Sequence, residues 1–293
     1  MLLRTHALDF PDKPAVILAP SGARATYSEL EARSNQVAWF LRSLGLRRGG
    51  AIAVCLENCL AFYEIYWAAI KTGLYMVPVS SRLTLDEVAY IIENAEAKAL
   101  FVSPGLPHAA AIIRHSVARV STIVVGDGGA LAAIDYQRAI DTQPTSPVPD
   151  ESPGIEMMYS SGTTGRPKGI RLPLPDTWEA AAQRAQSAAS SFGFSRDSIY
   201  LSTAPLYHTA PLRFTANVLC LGGTCVVMEK FDAEQSLALI QAHKVSHAQW
   251  VPTMFVRMLR LPEAARRGYD LRSLQCALHA AAPCPVHVKE QMI

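Results

Sequence analysis

Residues 155–169 read IEMMYSSGTTGRPKG, a short apolar strand followed by a loop rich in glycine and hydroxyl side chains. Gly162, Gly165 and Gly169 let a backbone approach an anion closely and present its N–H groups in a concave nest. The loop also carries a mobile positive charge on Lys168. Its hydroxyl donors are Ser160, Ser161, Thr163 and Thr164. This composition indicates a phosphate-binding loop, with a flexible surface loop as the alternative.

Strand and helix patterns alternate around this loop. Short apolar runs predict buried strands at AIAVCL (51–56), KALFVS (98–103) and STIVV (121–125). Capping boxes such as Thr84-Leu-Asp-Glu87 predict where the intervening helices begin. Alternation of this length favours parallel strands covered by helices. We therefore expect an α/β fold made of two layered βα subdomains with mostly parallel sheets.

A proline-rich segment suggests where the two subdomains meet. The sequence DTQPTSPVPDESPG at 141–154 has four prolines and no apolar periodicity, which predicts an exposed connection. It divides a first subdomain, residues 1–145, from a second one, residues 146–293, which carries the glycine-rich loop. An apolar helical pattern begins at Pro285 and stops two turns later, which indicates that the second subdomain is cut short.

Composition excludes several classes of function. The net charge is +2 and the basic residues are dispersed, so no nucleic-acid partner is expected. No run approaches the roughly 18 apolar residues of a membrane-spanning helix, and the N-terminus does not resemble a secretory signal peptide. The six cysteines include no C-x-x-C pair, so we predict free thiols, a cytoplasmic location and no metal ligands. Cys276 and Cys284 are expected to be inert, and His243 and His247 straddle a helix-to-strand change, which disfavours a metal pair.

The loop has neither the G-x-x-x-x-G-K-[ST] pattern of P-loop enzymes nor the G-x-G-x-x-G of dinucleotide folds. YSSGTTGRPKG instead closely resembles the signature loop of the AMP-forming adenylate synthetases. That superfamily includes acyl-CoA synthetases, aryl-CoA ligases, firefly luciferase and the adenylation domains of peptide synthetases. Further segments resemble the family in the same order: TYSEL (26–30), AAIKTGLYMVPVSSRLTLDEVAYII (68–92), APLYHTA (204–210), WVPTM (250–254) and LHAAAPCP (278–285). The resemblance covers nearly the whole chain, and the acyl-CoA synthetase branch fits best.

The resemblance implies a role for each matching residue. Thr163, Thr164 and Lys168 would stabilise the charge that develops as a carboxylate oxygen attacks the α-phosphorus of ATP. His208 aligns with the family's gate beside the acyl and CoA channels, and the expected substrate-binding residues are Tyr207, His208, Trp250 and Ala280. The expected nucleotide-binding residues are Ser160, Ser161, Gly162, Thr163, Thr164, Gly165, Lys168, Gly169, Ala281, Ala282 and Pro283. The implied co-substrates and cofactors are ATP, Mg²⁺ and coenzyme A.

Some of these residues also have a structural interpretation. His208 follows Pro-Leu-Tyr in a loop and fits an ordinary structural histidine. Trp250 lies on an alternating strand, where a tryptophan is more often part of the core than of a pocket. Arg82 matches a family position, but a solvated or ion-paired arginine fits that position equally well.

The chain departs from the family in two ways. Where the family writes G-G-A-P or S-G-A-A-P, residues 279–283 read HAAAP, so the local glycine freedom is missing. The chain also lacks the Tyr-Gly, Thr-Glu and Thr-Gly-Asp sequences with which the family contacts adenine, Mg²⁺ and ribose. We also expect the family's mobile C-terminal domain, with its catalytic lysine, to lie outside these 293 residues. We therefore expect the N-terminal portion of an adenylate-forming enzyme.

The leading hypothesis is an ATP-dependent acyl-CoA synthetase for a fatty or other hydrophobic carboxylic acid. The alternative is a non-catalytic fragment that binds acyl or nucleotide ligands without turnover. A luciferase-like oxygenase on the same scaffold is a third hypothesis, which no residue favours. A homo-oligomer is left open by the sequence.

Overall fold

A computed structural model describes residues 3–116, 118–128, 133–160 and 166–292. They form two compact units, and each unit contains one six-stranded sheet. The first unit comprises residues 28–182, and the second comprises residues 3–27 together with 183–292. The predicted α/β architecture with mostly parallel sheets is confirmed.

The described residues form helices and strands that alternate along most of the chain. The helices are α1 (Leu3–Asp9), α2 (Tyr27–Ser43), α3 (Leu60–Lys71), α4 (Leu85–Asn94), α5 (Ala109–Ser116), α6 (Tyr136–Asp141), α7 (Trp178–Phe192), α8 (Thr209–Cys220), α9 (Ala233–His243), α10 (Pro252–Leu259), α11 (Glu263–Arg267) and α12 (Val286–Met292). The strands are β1 (Pro14–Ala19), β2 (Arg24–Thr26), β3 (Ala51–Cys55), β4 (Tyr75–Pro78), β5 (Ala97–Val102), β6 (Ser121–Val124), β7 (Ile134–Asp135), β8 (Ile155–Glu156), β9 (Met158–Ser160), β10 (Lys168–Ile170), β11 (Ile199–Ser202), β12 (Thr224–Met228), β13 (His247–Trp250) and β14 (Cys276–His279).

The sheet of the first unit has the strand order β7-β6-β5-β3-β4-β8, and every neighbouring pair is parallel. All five residues of β3 are buried, as its continuous apolar sequence predicts for a strand covered on both faces. Helix α4 begins with the predicted capping box, in which Thr84 Oγ1 accepts a hydrogen bond from the backbone N–H of Glu87. These local signals fix the frame of the first unit.

The units divide the chain differently from the boundary predicted at 145/146. Residues 146–182 belong to the first unit because β8 pairs with β4. Gly154 enters this pairing closely, and a Cβ on it would lie 2.5 Å from the carbonyl oxygens of Ala69 and Leu74. The proline-rich segment therefore leads back into the first sheet instead of separating two subdomains.

A buried lysine ties helices α2 and α3 together in the first unit. Lys71 is 1% exposed, and its Nζ donates to Glu31 Oε2 at 2.8 Å, Asn35 Oδ1 at 2.7 Å and Ser34 Oγ at 3.0 Å. Three acceptors satisfy the three donors of an ammonium group. Asn35 Nδ2 also donates to Glu31 Oε1 at 3.2 Å, so the network holds the carboxylate from both sides.

The sheet of the second unit has the strand order β14-β13-β11-β12-β1-β2. Its strands are parallel except for β2, which runs antiparallel to β1. Strand β1 lies in an N-terminal segment for which the sequence patterns above predicted no strand. Thr224 Oγ1 donates to the Pro14 carbonyl at 2.7 Å, and Tyr27 OH donates to the Gly223 carbonyl at 2.7 Å, so the N-terminal residues are an integral part of this unit.

The two faces of β11 and β13 have different surroundings. Leu201, Ala248 and Trp250 point to one face, where they join an apolar core with residues of α9 and α10. Tyr200 alternates with Leu201 and lies on the opposite face. There the rings of Phe194 and Phe214 pack against it, with centroids 5.9 and 6.1 Å from its own. The second unit therefore has an apolar core on one side of its sheet and an aromatic cluster on the other.

Candidate functional site

The glycine-rich loop is held by an antiparallel hairpin stem in the first unit. Strands β9 and β10 pair so that Ser160 lies opposite Lys168 and Tyr159 opposite Gly169. Ser160 Oγ also lies 3.5 Å from the Lys168 carbonyl oxygen. The stem thus fixes both ends of the predicted phosphate loop. Five of the predicted ligands, Ser161, Gly162, Thr163, Thr164 and Gly165, lie outside the described residues.

Gly169 packs closely against two side chains of the stem. A Cβ at this position would lie 2.7 Å from Tyr159 Cζ, 2.8 Å from Met157 Cε and 2.9 Å from Tyr159 Oη. Separations below about 3 Å do not occur for real Cβ atoms, so any side chain here would push the Tyr159 ring away. Within the described residues, Gly169 therefore acts through packing of the stem.

Tyr159 connects the stem to helix α4, a role that the sequence analysis did not assign to it. Its hydroxyl donates to Asn94 Oδ1 at 2.7 Å. Burial raises the pKa of the Tyr159 phenol to about 12, nearby Tyr90 adds to this rise, and Arg171 opposes it, so the phenol remains a donor at neutral pH. The sequence places an aromatic residue at the start of the glycine- and serine-rich loop, but it does not indicate that Asn94 is the hydrogen-bond partner of this residue.

Cation–π contacts add to the attachment of the stem. The Arg166 guanidinium carbon lies 5.2 Å from the centroid of the Tyr90 ring, and that of Arg171 lies 4.4 Å from the centroid of Tyr75. Each such contact is worth on the order of 0.5–1 kcal/mol at an exposed site. The two arginines therefore fasten the chain just after the loop to the body of the first unit.

Lys168 is exposed on the stem, and no carboxylate among the described residues pairs with it. Ser160 is exposed too. An unpaired ammonium beside exposed hydroxyl and backbone groups is suited to a polyanion, because phosphate oxygens accept charge-assisted hydrogen bonds. These features fit the predicted phosphate-binding role.

Three further predicted site residues follow the carboxyl ends of strands in the second unit. Tyr207 and His208 come after β11, where Tyr207 is buried, His208 is exposed, and their ring centroids are 4.6 Å apart. His208 is the N-cap residue of α8. Ala280 follows β14 and donates its N–H to the Trp250 carbonyl at 3.2 Å. In open α/β sheets, ligands bind beyond the carboxyl ends of strands, and these positions agree with that rule.

In the segment after β14, one alanine adopts a backbone conformation that favours glycine. Ala281 has φ +74°, in the left-handed region that favours glycine. For an L-residue this conformation costs roughly 1–2 kcal/mol. Ala281, Ala282 and Pro283 are exposed. The backbone therefore keeps a glycine-like conformation even though the side chain is alanine.

Trp250 belongs to the core of the second unit. It is 1% exposed, packs in the apolar cluster with Phe255, and its Nε1 donates to Ser236 Oγ at 3.2 Å. This placement agrees with the interpretation of Trp250 as a core residue.

The other candidate residues have structural surroundings. Arg82 is exposed. Burial raises the pKa of the Cys276 thiol, which fits the predicted inert role. The described part of the chain has no group of three His, Cys, Asp or Glu side chains arranged for a metal ion. Among the same residues, no helix is both long and apolar enough to cross a membrane.

Comparison with known proteins supports the sequence resemblance. Residues 3–293 match the family described as AMP-binding enzyme. The chain is 28% identical to 4-coumarate–CoA ligase 3 of Oryza sativa subsp. japonica, over 92% of this chain and 49% of that protein. It is 28% identical to the long-chain-fatty-acid–CoA ligase FadD13 of Mycobacterium tuberculosis, over 97% and 55%. It is 29% identical to the feruloyl-CoA synthase of an Amycolatopsis species, over 95% and 54%. The chain thus spans about half the length of these curated relatives.

Solved structures share the fold. The inhibitor-bound N-terminal domain of FACL13 from Mycobacterium tuberculosis superposes with a TM-score of 0.84 at 25% identity, covering 98% of this chain and 71% of that one. The anthranilate CoA ligase AuaEII in complex with anthranoyl-AMP gives a TM-score of 0.84 at 22% identity, covering 98% and 56%. The second likeness, at this low identity, concerns the fold alone.

Proposed function

The chain belongs to the AMP-binding enzyme family, and on that premise we propose that it serves an ATP-dependent acyl-CoA synthetase. A carboxylate oxygen of the substrate would attack the α-phosphorus of ATP, forming an acyl-adenylate and releasing pyrophosphate. The thiol of coenzyme A would then attack the acyl carbon, forming the thioester and releasing AMP. The substrate we propose is a carboxylic acid with a hydrophobic body, because aromatic side chains such as Phe194 and Phe214 line one face of the second sheet.

The observation that carries the proposal is the hairpin stem of the glycine-rich loop. A phosphate site needs backbone donors and a cation held in fixed geometry before the ligand arrives. Pairing of Ser160 with Lys168, the Tyr159–Asn94 hydrogen bond and the packing around Gly169 supply that fixation. The exposed ammonium of Lys168 would remain available to the phosphates.

The roles of the remaining residues follow from the resemblance. Thr163 and Thr164 would donate hydroxyl hydrogen bonds to the phosphates together with Ser160, Ser161 and backbone N–H groups of the loop. Lys168 would offset the negative charge that builds up as pyrophosphate departs. In the second unit, His208 and Tyr207 would border the carboxylate, and the exposed backbone of 280–283 would border adenine.

Titration of the 293-residue chain with ATP, for the wild type and for Lys168→Ala, tests the proposal. Hydrogen bonds to charged groups contribute about 1.5–3 kcal/mol, so we expect Lys168→Ala to weaken ATP binding about 10-fold to 100-fold. Lys98→Ala removes another exposed lysine of the first unit and serves as the matched control. Equal ATP affinity in Lys168→Ala and wild type would rule out the assigned role of the loop.

The 293 residues span about half the length of these relatives, so ligand binding by these residues without turnover is tested as the second candidate. Carboxylate-dependent exchange of labelled pyrophosphate into ATP separates the two candidates. Exchange by the chain, lowered about 10²-fold or more by Lys168→Ala, would support catalysis. Binding of ATP without exchange would support the second candidate.

Several features stay predictions. Mg²⁺ would enter with ATP at the glycine-rich loop and would supply positive charge at the site of phosphoryl displacement, and coenzyme A would be the second acceptor. A cytoplasmic location and a homo-oligomeric assembly rest on the sequence alone.

A further inference from the structure

Three polar side chains share one face of the second sheet. Tyr200 and Ser202 are two residues apart on β11, so they point to the same side. Ser202 pairs in register with Gln249 of the neighbouring parallel strand β13, and such strands lie about 4.8 Å apart. Tyr200, Ser202 and Gln249 therefore form a group, called the strand-face triad below, on the side opposite the apolar core of α9 and α10.

The triad is fully buried, and one polar atom of each member has no hydrogen-bond partner. Tyr200 and Ser202 are 0% exposed and Gln249 is 1% exposed. Within the part of the chain that the structure describes, Tyr200 Oη, Ser202 Oγ and Gln249 Oε1 make no hydrogen bond. Buried polar atoms are nearly always hydrogen-bonded, so three such atoms on one face of a sheet point to a missing partner.

Other buried polar side chains of the same unit are paired. Thr203 Oγ1 donates to the Gln249 carbonyl at 2.6 Å, Thr215 Oγ1 to the Pro211 carbonyl at 2.8 Å, and Ser236 Oγ accepts from Trp250 at 3.2 Å. These buried hydroxyl groups of the second unit therefore all have hydrogen-bond partners within the protein. The absence of partners is concentrated at the triad.

The three side chains of the triad are complementary to a group that both donates and accepts hydrogen bonds. Gln249 Nε2 donates to the Trp250 carbonyl at 3.0 Å, which leaves Oε1 as an acceptor. Burial raises the pKa of Tyr200 well above its usual range, so its hydroxyl stays protonated and can donate. Ser202 can do either. A hydroxyl group meets these requirements, whereas a carboxylate has no proton for Gln249 and a methyl group meets none of them.

The triad lies next to the predicted substrate-binding segments of this unit. Ser202 is the last residue of β11, which leads into Tyr207 and His208, and Gln249 is the penultimate residue of β13. Strand β14, next to β13, leads into Ala280. The rings of Phe194 and Phe214 pack on Tyr200. A ligand that approaches from the carboxyl ends of these strands would meet these aromatic side chains and the hydrogen-bonding atoms of the triad.

We propose that Tyr200, Ser202 and Gln249 form a subsite that binds a hydroxyl group carried on the acyl part of the carboxylic acid, away from its carboxylate. This inference rests on the proposed function and narrows its substrate class to hydroxylated acids. Without such a subsite, a hydroxyl group placed among buried aromatic side chains would weaken binding, because it loses its hydration. If the subsite exists, an added hydroxyl group should strengthen binding of the acid, and if it does not, the hydroxyl group should weaken binding.

Matched acids provide the test. The chain is titrated calorimetrically with cinnamic and 4-hydroxycinnamic acid, and with dodecanoic and 12-hydroxydodecanoic acid, so that the hydroxyl is presented on a ring and on a flexible chain. We expect the hydroxylated member of at least one pair to bind about 10-fold more tightly, the effect of one satisfied hydrogen bond. Ser202→Ala and Gln249→Met should each abolish that preference. Ser236→Ala, a buried serine on the other face, should retain it.

Two results would overturn the subsite: equal or weaker binding of both hydroxylated acids, or binding of none of the four. The wild-type comparison needs no variant, so misfolding of a variant cannot decide it. A parallel titration with ATP on the same sample separates the two proposals. ATP binding with no preference for the hydroxylated acids would overturn the subsite alone, and loss of ATP binding would count against the proposed function.

Discussion

Two buried polar groups, one in each unit, differ in how far their hydrogen bonds are satisfied. In the first unit, Lys71 is enclosed by oxygen atoms of Glu31, Ser34 and Asn35, and each of its three donors has an acceptor. In the second unit, the strand-face triad is equally buried, but three of its polar atoms have no partner among the described residues. A saturated network holds two helices together and has no capacity left for a ligand. Buried polar atoms without a partner can still form hydrogen bonds, and a ligand with complementary donors and acceptors would satisfy them.

Removal of the buried lysine should have the largest effect. Lys71→Met leaves the Glu31 carboxylate buried without its cation, and breaking a buried pair in this way costs about 3–5 kcal/mol. The loss should appear as a lower free energy of unfolding in urea. Replacing both partners, as Lys71→Met with Glu31→Leu, should recover much of the loss, because no uncompensated charge remains.

The exposed ion pair between Arg267 and Glu263 is the control for this experiment. Its atoms are 2.9 Å apart, but both side chains are largely exposed, so Arg267→Met should change stability little. A Lys71→Met variant as stable as Arg267→Met would show that the Lys71 network does not hold the first unit together.

Two buried serines give an intermediate and more direct comparison. Ser34 and Ser202 are both 0% exposed. Ser34 Oγ accepts from Lys71 and donates to the Glu31 carbonyl, so Ser34→Ala should cost about 1–3 kcal/mol. Ser202→Ala removes a hydroxyl that has no partner, and it should leave stability unchanged or raise it slightly. Chemical denaturation of the two variants measures the difference. An equal loss of stability in both variants would mean that the Ser202 hydroxyl has a hydrogen-bond partner in the free protein. The proposed difference between the two serines would then be wrong.

The smallest expected effect concerns a histidine on the same sheet face as the triad. His247 Nε2 lies 3.0 Å from the Phe192 carbonyl oxygen and Nδ1 lies 2.8 Å from Ser246 Oγ. Burial lowers the pKa of His247, and the hydrogen bond to Phe192 opposes this only in part. Below pH of about 6.5 the unfolded chain therefore binds a proton that the folded protein does not. Stability should be complete above this pH and should fall as the pH is lowered towards the folded-state pKa.

Thermal unfolding between pH 7 and pH 5 measures this dependence. His247→Gln should flatten it, because the group that titrates differently in the two states is gone. The pKa of His243 is also lowered by burial, so His243→Gln should flatten the dependence as well, and the double variant should flatten it most. A wild-type protein that becomes more stable on acidification through this range would contradict the assignment.

Local sequence signals predicted the parts of the fold that depend on neighbouring residues. The apolar run at β3 and the capping box at Thr84 each carry their structural signal within a few residues. The class of fold followed from their alternation. The boundary between units did not follow, because the pairing of β8 with β4 and the crowding at Gly154 join segments about 80 residues apart.

The site was predictable to a similar degree. The glycines, hydroxyls and lysine of the loop were recognisable from the sequence, and the missing glycine at Ala281 was reflected in its positive φ. Tyr159 was overlooked because its partner Asn94 lies on a helix 65 residues earlier. The triad was overlooked because its members become a group only through strand register. The placement of Trp250 depends on strand geometry in the same way. Trp250 directly follows Gln249 on β13, so it points to the apolar core on the opposite face of the sheet.

The composition of the second unit from two distant segments has a consequence for its folding during synthesis. Pro14 on β1 and Thr224 on β12 are 210 residues apart, whereas the first unit is one continuous segment. At roughly 5–20 residues per second, the ribosome needs about 10–40 s to travel from one strand to the other. Throughout that interval the PAVILA strand has only the short strand β2 beside it in its own sheet, while the whole first unit leaves the ribosome and can fold. The side of this early apolar strand that pairs with β12 is therefore among the last to be covered, and a chaperone would have time to compete for it.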